Sequence, residues 1–234
     1  MSGWSPGERL RSRRDEALIL VATVAIAAFY YWTRADVIGV RSATGDWTPM
    51  TGVAWPAAAH YLGSLVLLAL IPLGAACWLY RAGPDAFGLG PGRVGEGLAW
   101  LAVGIPVAIL AGWIGSGSEA MRAVYPLDRG LLGAAPPRFL PGAALEFLYY
   151  GSWEVLFRGV LLFGLRGALG GGNANVIQTA FSVLAHFGRA PDETFAAIPA
   201  GLVFGWVSLR VGSIWYVAIV HWLVGVSMDW FVSR

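Results

Sequence analysis

The chain has no lysine, a single cysteine and little charge, and each shortage narrows what it can be. Asp, Glu, Lys and Arg make up 13% of the 234 residues, about half the share found in a soluble domain. Cys77 lies alone in an apolar run, so no disulfide framework exists and ordinary packing accounts for it. A formal net charge of +2 is too small to recruit nucleic acid. All 16 Lys/Arg-type residues are arginine, a composition that points to a GC-rich bacterial genome. No H-E-x-x-H pair of metal-binding histidines occurs on any segment.

What remains is oil. Hydrophobic residues make up 57% of the chain and the mean hydropathy is +0.62. Long apolar runs alternate with short loops containing Arg, Pro and Gly, the pattern of an all-α, polytopic bundle in a lipid bilayer. The basic opening "MSGWSPGERLRSRRDEA" precedes "LILVATVAIAAFYYW", read as an uncleaved first span ending in the interfacial aromatics Phe29 to Trp32. Further spans are expected near 60–80, 98–114, 143–165, 176–187, 196–209 and 214–232. That gives about seven helices, or eight if "RGLLGAAPPRFLPG" contains a re-entrant piece. Arg9, Arg11, Arg13 and Arg14 favour a cytoplasmic N-terminus in a bacterial cytoplasmic membrane.

Against this background the ionisable residues of the last third stand out. An ionised side chain at the bilayer centre costs about 2.5–3.5 kcal/mol even on insertion scales. Yet the fourth span carries Glu154 and Arg158 in "GSWEVLFRG". The fifth ends in "FSVLAHFGRAPDE", with His186, Arg189 and Glu193, and the last, "IWYVAIVHWLVGVSMDWF", carries His221 and Asp229. Glu154 and Arg158 are four residues apart, so they share a helix face and can pair. Intramembrane charges face one another or a wet cavity, so three helices are expected to enclose one polar chamber. His60, with no acidic neighbour in sequence, reads as structural.

These stretches resemble the three motifs of the CPBP family, the CAAX-processing and bacteriocin-processing membrane proteins. Its motifs are Glu-Glu-x-x-x-Arg, Phe-x-x-x-His and His-x-x-x-Asn/Asp. The resemblance covers roughly residues 90–232, which divides the chain into an N-terminal part, 1–90, with the first two spans, and a CPBP-like core, 91–234. It implies an intramembrane endopeptidase of the glutamic type, in which the first Glu and the second-motif His activate water. The third-motif His and Asn would stabilise the oxyanion.

Three departures from the pattern are visible. Trp153 stands in place of the first Glu, Ser182 stands where the second-motif aromatic belongs, with Phe181 one place earlier, and Gly225 replaces the Asn or Asp. With the first carboxylate absent, Glu154 is expected to be the base beside His186, with Glu193 as the lesser alternative. Arg158 would orient Glu154, and His221 would donate to the tetrahedral oxygen. Arg189 and Asp229 are accessory candidates. Asp229 sits near the membrane exit, where solvation or an indirect contact is the simpler reading, and an acid at 193 also suits the first turn of a helix.

The substrate class implied is a membrane-associated protein or a C-terminal tail, with no cofactor and no metal. A zinc site made by two His and one Glu is the alternative chemistry. The alternatives in function are a catalytically inactive scaffold or immunity protein, and a transporter or proton pathway. Transport is disfavoured because no internal repeat is apparent.

Overall fold

The structure is a computed structural model that describes residues 6–33, 55–126 and 135–234. Among these residues it is a bundle of eight helices with no strand. Helix α1 spans Pro6–Thr33, and α2 runs from Trp55 to Tyr80 through a π-helical stretch at Leu65–Leu70. Helix α3 spans Val94–Ser116 and the short α4 spans Glu119–Val124. Helix α5 is continuous from Pro136–Glu154 through a π-helical stretch, Val155–Phe163, to Gly164–Leu169. Helices α6, Gly171–Leu184, α7, Pro191–Val211, and α8, Trp215–Val232, complete the chain.

Among the described residues five helical stretches are long and apolar enough to cross a membrane: Arg13–Thr33, Ala59–Tyr80, Val94–Ser116, Pro191–Val211 and Trp215–Val232. Their large apolar side chains face outward, as Val103, Val107, Leu110 and Trp113 do on α3 and Trp78 does on α2. In lipid such exposure is the favoured state. Helices α5 and α6 fall outside this set: α5 carries Glu146, Glu154 and Arg158, and α6 has only 14 residues.

The helices extend further than hydropathy alone suggests. Helix α5 begins seven residues before the expected 143, because the Pro-rich "PPRFLPG" supplies a helical first turn with Pro at N1. Residues 127–134 of the suggested re-entrant piece lie outside the described residues. Helix α6 stops at Leu184 rather than continuing to 187, because Gly188 adopts φ +90° and reverses the chain toward α7. Nothing lies within 4 Å of the position a Cβ would take there, so only backbone strain opposes a side chain. Gly188→Ala is therefore expected to destabilise the protein by about 1–2 kcal/mol, readable as a lowered melting temperature in detergent.

Helix α5 forms the centre. Every residue from Val155 to Phe163 is buried, and Leu156, Phe157, Val160, Leu161 and Leu162 share a core with Leu18 and Ala22 of α1, Tyr61 and Leu68 of α2, and Phe87. Close approach at two glycines makes this possible. A Cβ at Gly159 would lie 3.2 Å from the Phe87 carbonyl oxygen, and one at Gly164 would lie 2.5 Å from Leu18.

Helices α3 and α8 form the most extensive pair, through a small-residue seam of the kind that lets membrane helices pack backbone to backbone. A Cβ at Gly97, Gly104 or Gly112 would collide with Tyr216, Val220 or Ser227 respectively. The start of α8 is tied to the loop before α3. Trp215 Nε1 donates to Leu89 O at 2.7 Å, and the Tyr216 hydroxyl donates to Pro91 O at 2.9 Å.

Helices α6 and α7 are joined differently, by a buried polar stripe at Asn175, Gln178, Thr179 and Ser182. Asn175 Nδ2 donates to Leu202 O at 2.9 Å and Gln178 Nε2 to Gly201 O at 3.1 Å. Such bonds hold membrane helices together where the hydrophobic effect does not discriminate between them.

Candidate active site

Glu154 is the last α-helical residue before the π-helical stretch of α5 and is 0% exposed. π-helical turns break the regular ladder and recur at functional sites. Its Oε1 accepts two charge-assisted hydrogen bonds, from Arg158 Nη1 at 3.0 Å and from His221 Nδ1 at 2.7 Å. The first is the intrahelical pair expected from the i, i+4 spacing. The second joins α5 to α8 and was not predictable from spacing. Because Nδ1 faces a carboxylate, it carries the proton, and Nε2 is left toward the cavity.

His186 lies in the turn after α6. Its Nδ1 donates to Ser182 O at 2.6 Å, a bond that leaves Nε2 as the free acceptor. Nε2 stands 3.8 Å from Glu193 Oε1, too far for a direct hydrogen bond and spaced for a bridging group. Glu193 reaches this point from the first turn of α7. Trp153 occupies the remaining side. Its ring meets His186 edge-on at 4.9 Å between centroids, and its Nε1 donates to Ser182 Oγ at 3.2 Å. An indole that cannot ionise thus packs on the imidazole, and the carboxylate that approaches His186 Nε2 is that of Glu193 on α7.

One cavity of about 450 Å³ joins these groups. Its lining includes His186, Glu193, His221 and Arg158, with Trp153, Tyr150 and Gly225. Glu154 does not line it; the acid sits behind His221 and Arg158. Small residues on α3 and α7, Ala111, Gly115, Ala196 and Ala200, line the cavity together with Ile114 and Phe204. The mouth reaches Asp192, which accepts a hydrogen bond from Ser118 Oγ at 2.6 Å. Tyr125, outside the spans, also lines the cavity, and burial holds its phenol well above the usual range. It is neutral in the working pH range.

The other candidates are distributed around this centre. Arg189 Nη2 donates to the Tyr149 hydroxyl at 3.0 Å and does not line the cavity. Asp229 is 1% exposed, so of solvation and an indirect contact the first is excluded: α8 carries the acid into the bundle, and it does not line the cavity. His60 Nδ1 pairs with Thr33 O at 3.0 Å, and its ring packs between Phe29 and Tyr149. Among the described residues no three His, Cys, Asp or Glu side chains are grouped as metal ligands.

Two buried residues escaped the sequence reading. Glu146, 1% exposed, accepts from the Tyr61 hydroxyl at 3.5 Å. Tyr150 lines the cavity beside His221, with ring centroids 5.0 Å apart. Both were within reach, since 146, 150, 154 and 158 repeat at four-residue spacing and mark one face of α5.

Residues 152–227 match the family model described as type II CAAX prenyl endopeptidase Rce1-like. No curated protein and no solved structure is significantly similar to the chain. The matched stretch contains Glu154, Arg158, His186, Glu193 and His221, and it supports the resemblance to the CPBP family of CAAX-protease-like membrane proteins.

Proposed function

We propose that this protein is an intramembrane endopeptidase that hydrolyses a membrane-associated polypeptide with water activated between His186 and Glu193. The observation that carries this reading is the 3.8 Å separation of His186 Nε2 and Glu193 Oε1 within one cavity. Both atoms are acceptors, so a water between them donates one hydrogen to each and directs a lone pair at the substrate carbonyl. As the water oxygen bonds to the carbonyl carbon, Glu193 takes its proton and the carbonyl electron pair moves to oxygen. Glu193 then returns the proton to the amide nitrogen, the C–N bond breaks, and a carboxylic acid and an amine leave.

His221 faces the same cavity and stabilises the oxyanion through Nε2–H when its ring is protonated. Glu154 holds that ring through Nδ1 and balances its charge, as the carboxylate of a catalytic triad does for its histidine. Arg158 fixes Glu154. In this reading Glu154 is a positioning residue, and the base is Glu193.

The four arginines before the first span, against Arg34 and Arg41 after it, favour a cytoplasmic N-terminus in a bacterial membrane. The cavity mouth lies where α3 ends and α7 begins, at the end of the bundle opposite the start of α1. Its substrates then present their scissile bond on the extracytoplasmic side, as the C-terminal tail of an exported protein does. The small-residue wall between α3 and α7 suits entry of such a tail from lipid.

The test uses the purified chain in proteoliposomes with quenched-fluorescent casein and a pool of quenched hydrophobic peptides. Cleavage that disappears in His186→Ala and persists under a strong chelator is the expected result. No cleavage by the wild type, or wild-type cleavage by His186→Ala, would overturn the reading. Loss of cleavage with chelator would assign the chemistry to zinc. Trp153 in place of an ionisable residue favours one competing reading, a scaffold without hydrolysis, and a wild type inactive on every substrate would support it.

A further inference from the structure

Gly225 lies one helical turn after His221 on α8 and lines the same cavity. A Cβ built on it would fall 1.9 Å from the hydroxyl oxygen of Tyr150 and 2.2 Å from its Cζ. The phenol tip therefore occupies the space in which a side chain at 225 would begin. Tyr150 is 4% exposed and reaches this place from α5, its ring 5.0 Å from that of His221 at an interplanar angle of 62°. On α8, positions 221 and 225 share a face, so the imidazole and the hydroxyl stand next to each other along one wall. His186, in the turn after α6, and Glu193, on α7, line the cavity from other elements.

We propose that the Tyr150 hydroxyl, seated in the space left by Gly225, is a second oxyanion donor beside His221. This rests on the endopeptidase reading and extends it to the other half of the transition state. Hydrolysis places negative charge on the former carbonyl oxygen, on the side away from the attacking water. In a cavity lined largely by apolar side chains, fixed donors aimed at that oxygen carry a large share of the rate. A phenol O–H is a neutral donor held by a two-torsion side chain. The proton stays on Tyr150 throughout, and the hydrogen bond shortens as charge develops. A glycine at 225 is then required, because any larger residue displaces the donor.

Tyr150→Phe keeps the ring and removes the oxygen. In the proteoliposome assay with quenched-fluorescent casein, kcat is expected to fall about 100-fold while KM and melting temperature hold. Tyr150→Ala opens the space, and Tyr150→Ala/Gly225→Asn places a different donor there, so the double variant is expected to recover part of the kcat lost in Tyr150→Ala. Wild-type kcat in Tyr150→Phe, or a defect confined to KM or to stability, would overturn the assignment. If Tyr150→Phe does not fold, the double variant decides, and no gain over Tyr150→Ala overturns it. Glu193→Gln in the same plate separates the two levels. A cleaving wild type, an inactive Glu193→Gln and an unimpaired Tyr150→Phe would remove only the donor role, whereas an inactive wild type removes both.

Discussion

Replacing Glu193 by glutamine is expected to lower kcat by about 10²–10⁴-fold, the usual contribution of a positioned general base, with melting temperature and detergent behaviour unchanged. The amide is isosteric with the carboxylate, and among the described residues Glu193 makes no hydrogen bond that holds α7 in place. The side chain is 16% exposed, and its near partner is His186 Nε2 at 3.8 Å. Glu154→Gln is expected to behave differently. Glu154 is sealed from the cavity and bonded to both Arg158 and His221, so the variant should lose stability together with activity. Kinetics and thermal unfolding measured on the two variants in parallel check this contrast. Full activity in Glu193→Gln beside a stable, inactive Glu154→Gln would return the base to α5.

The second large effect is on folding. Arg158 and Glu154 have side-chain exposures of 3% and 0%, and removing the arginine takes the fixed positive charge away from a buried carboxylate, leaving it with His221. Arg158→Leu is expected to cost about 3–5 kcal/mol, visible as a lowered unfolding midpoint in detergent. Because desolvation offsets most of what such a pair gains, Glu154→Leu/Arg158→Leu should recover much of that loss. It should not recover activity, since His221 then lacks the acceptor that orients Nδ1. A double variant as unstable as the single one would show that the pair is not the source of the cost.

Much of this architecture is legible in the chain itself. The outward-facing apolar helices are marked by hydropathy, and the pairing of Glu154 with Arg158 follows from one turn of helix. The gathering of His186 and His221 follows from the cost of leaving polar groups in lipid. The limits are equally physical. Hydropathy registers the apolar middle of a helix, so the polar first turns of α5 and α7 were underestimated. The bond from His221 to Glu154 depends on the rotation of α8 against α5, which the glycine seam with α3 sets and periodicity does not. The approach of Glu193 to His186 is the hardest feature to read from sequence. A first-turn acid has a sufficient local explanation, and only the reversal at Gly188 turns it back onto His186. Gly225 reads as a missing donor in sequence, whereas in the fold it is the space that admits Tyr150.

The most direct measurement is an experimental structure of the protein in lipid at a resolution that orders waters. The expected result is a water within about 2.6–3.2 Å of both His186 Nε2 and Glu193 Oε1, with Glu154 enclosed by Arg158 and His221. A Glu193 side chain turned away from His186, with the ordered water held on Glu154 instead, would contradict the assignment of the hydrolytic centre.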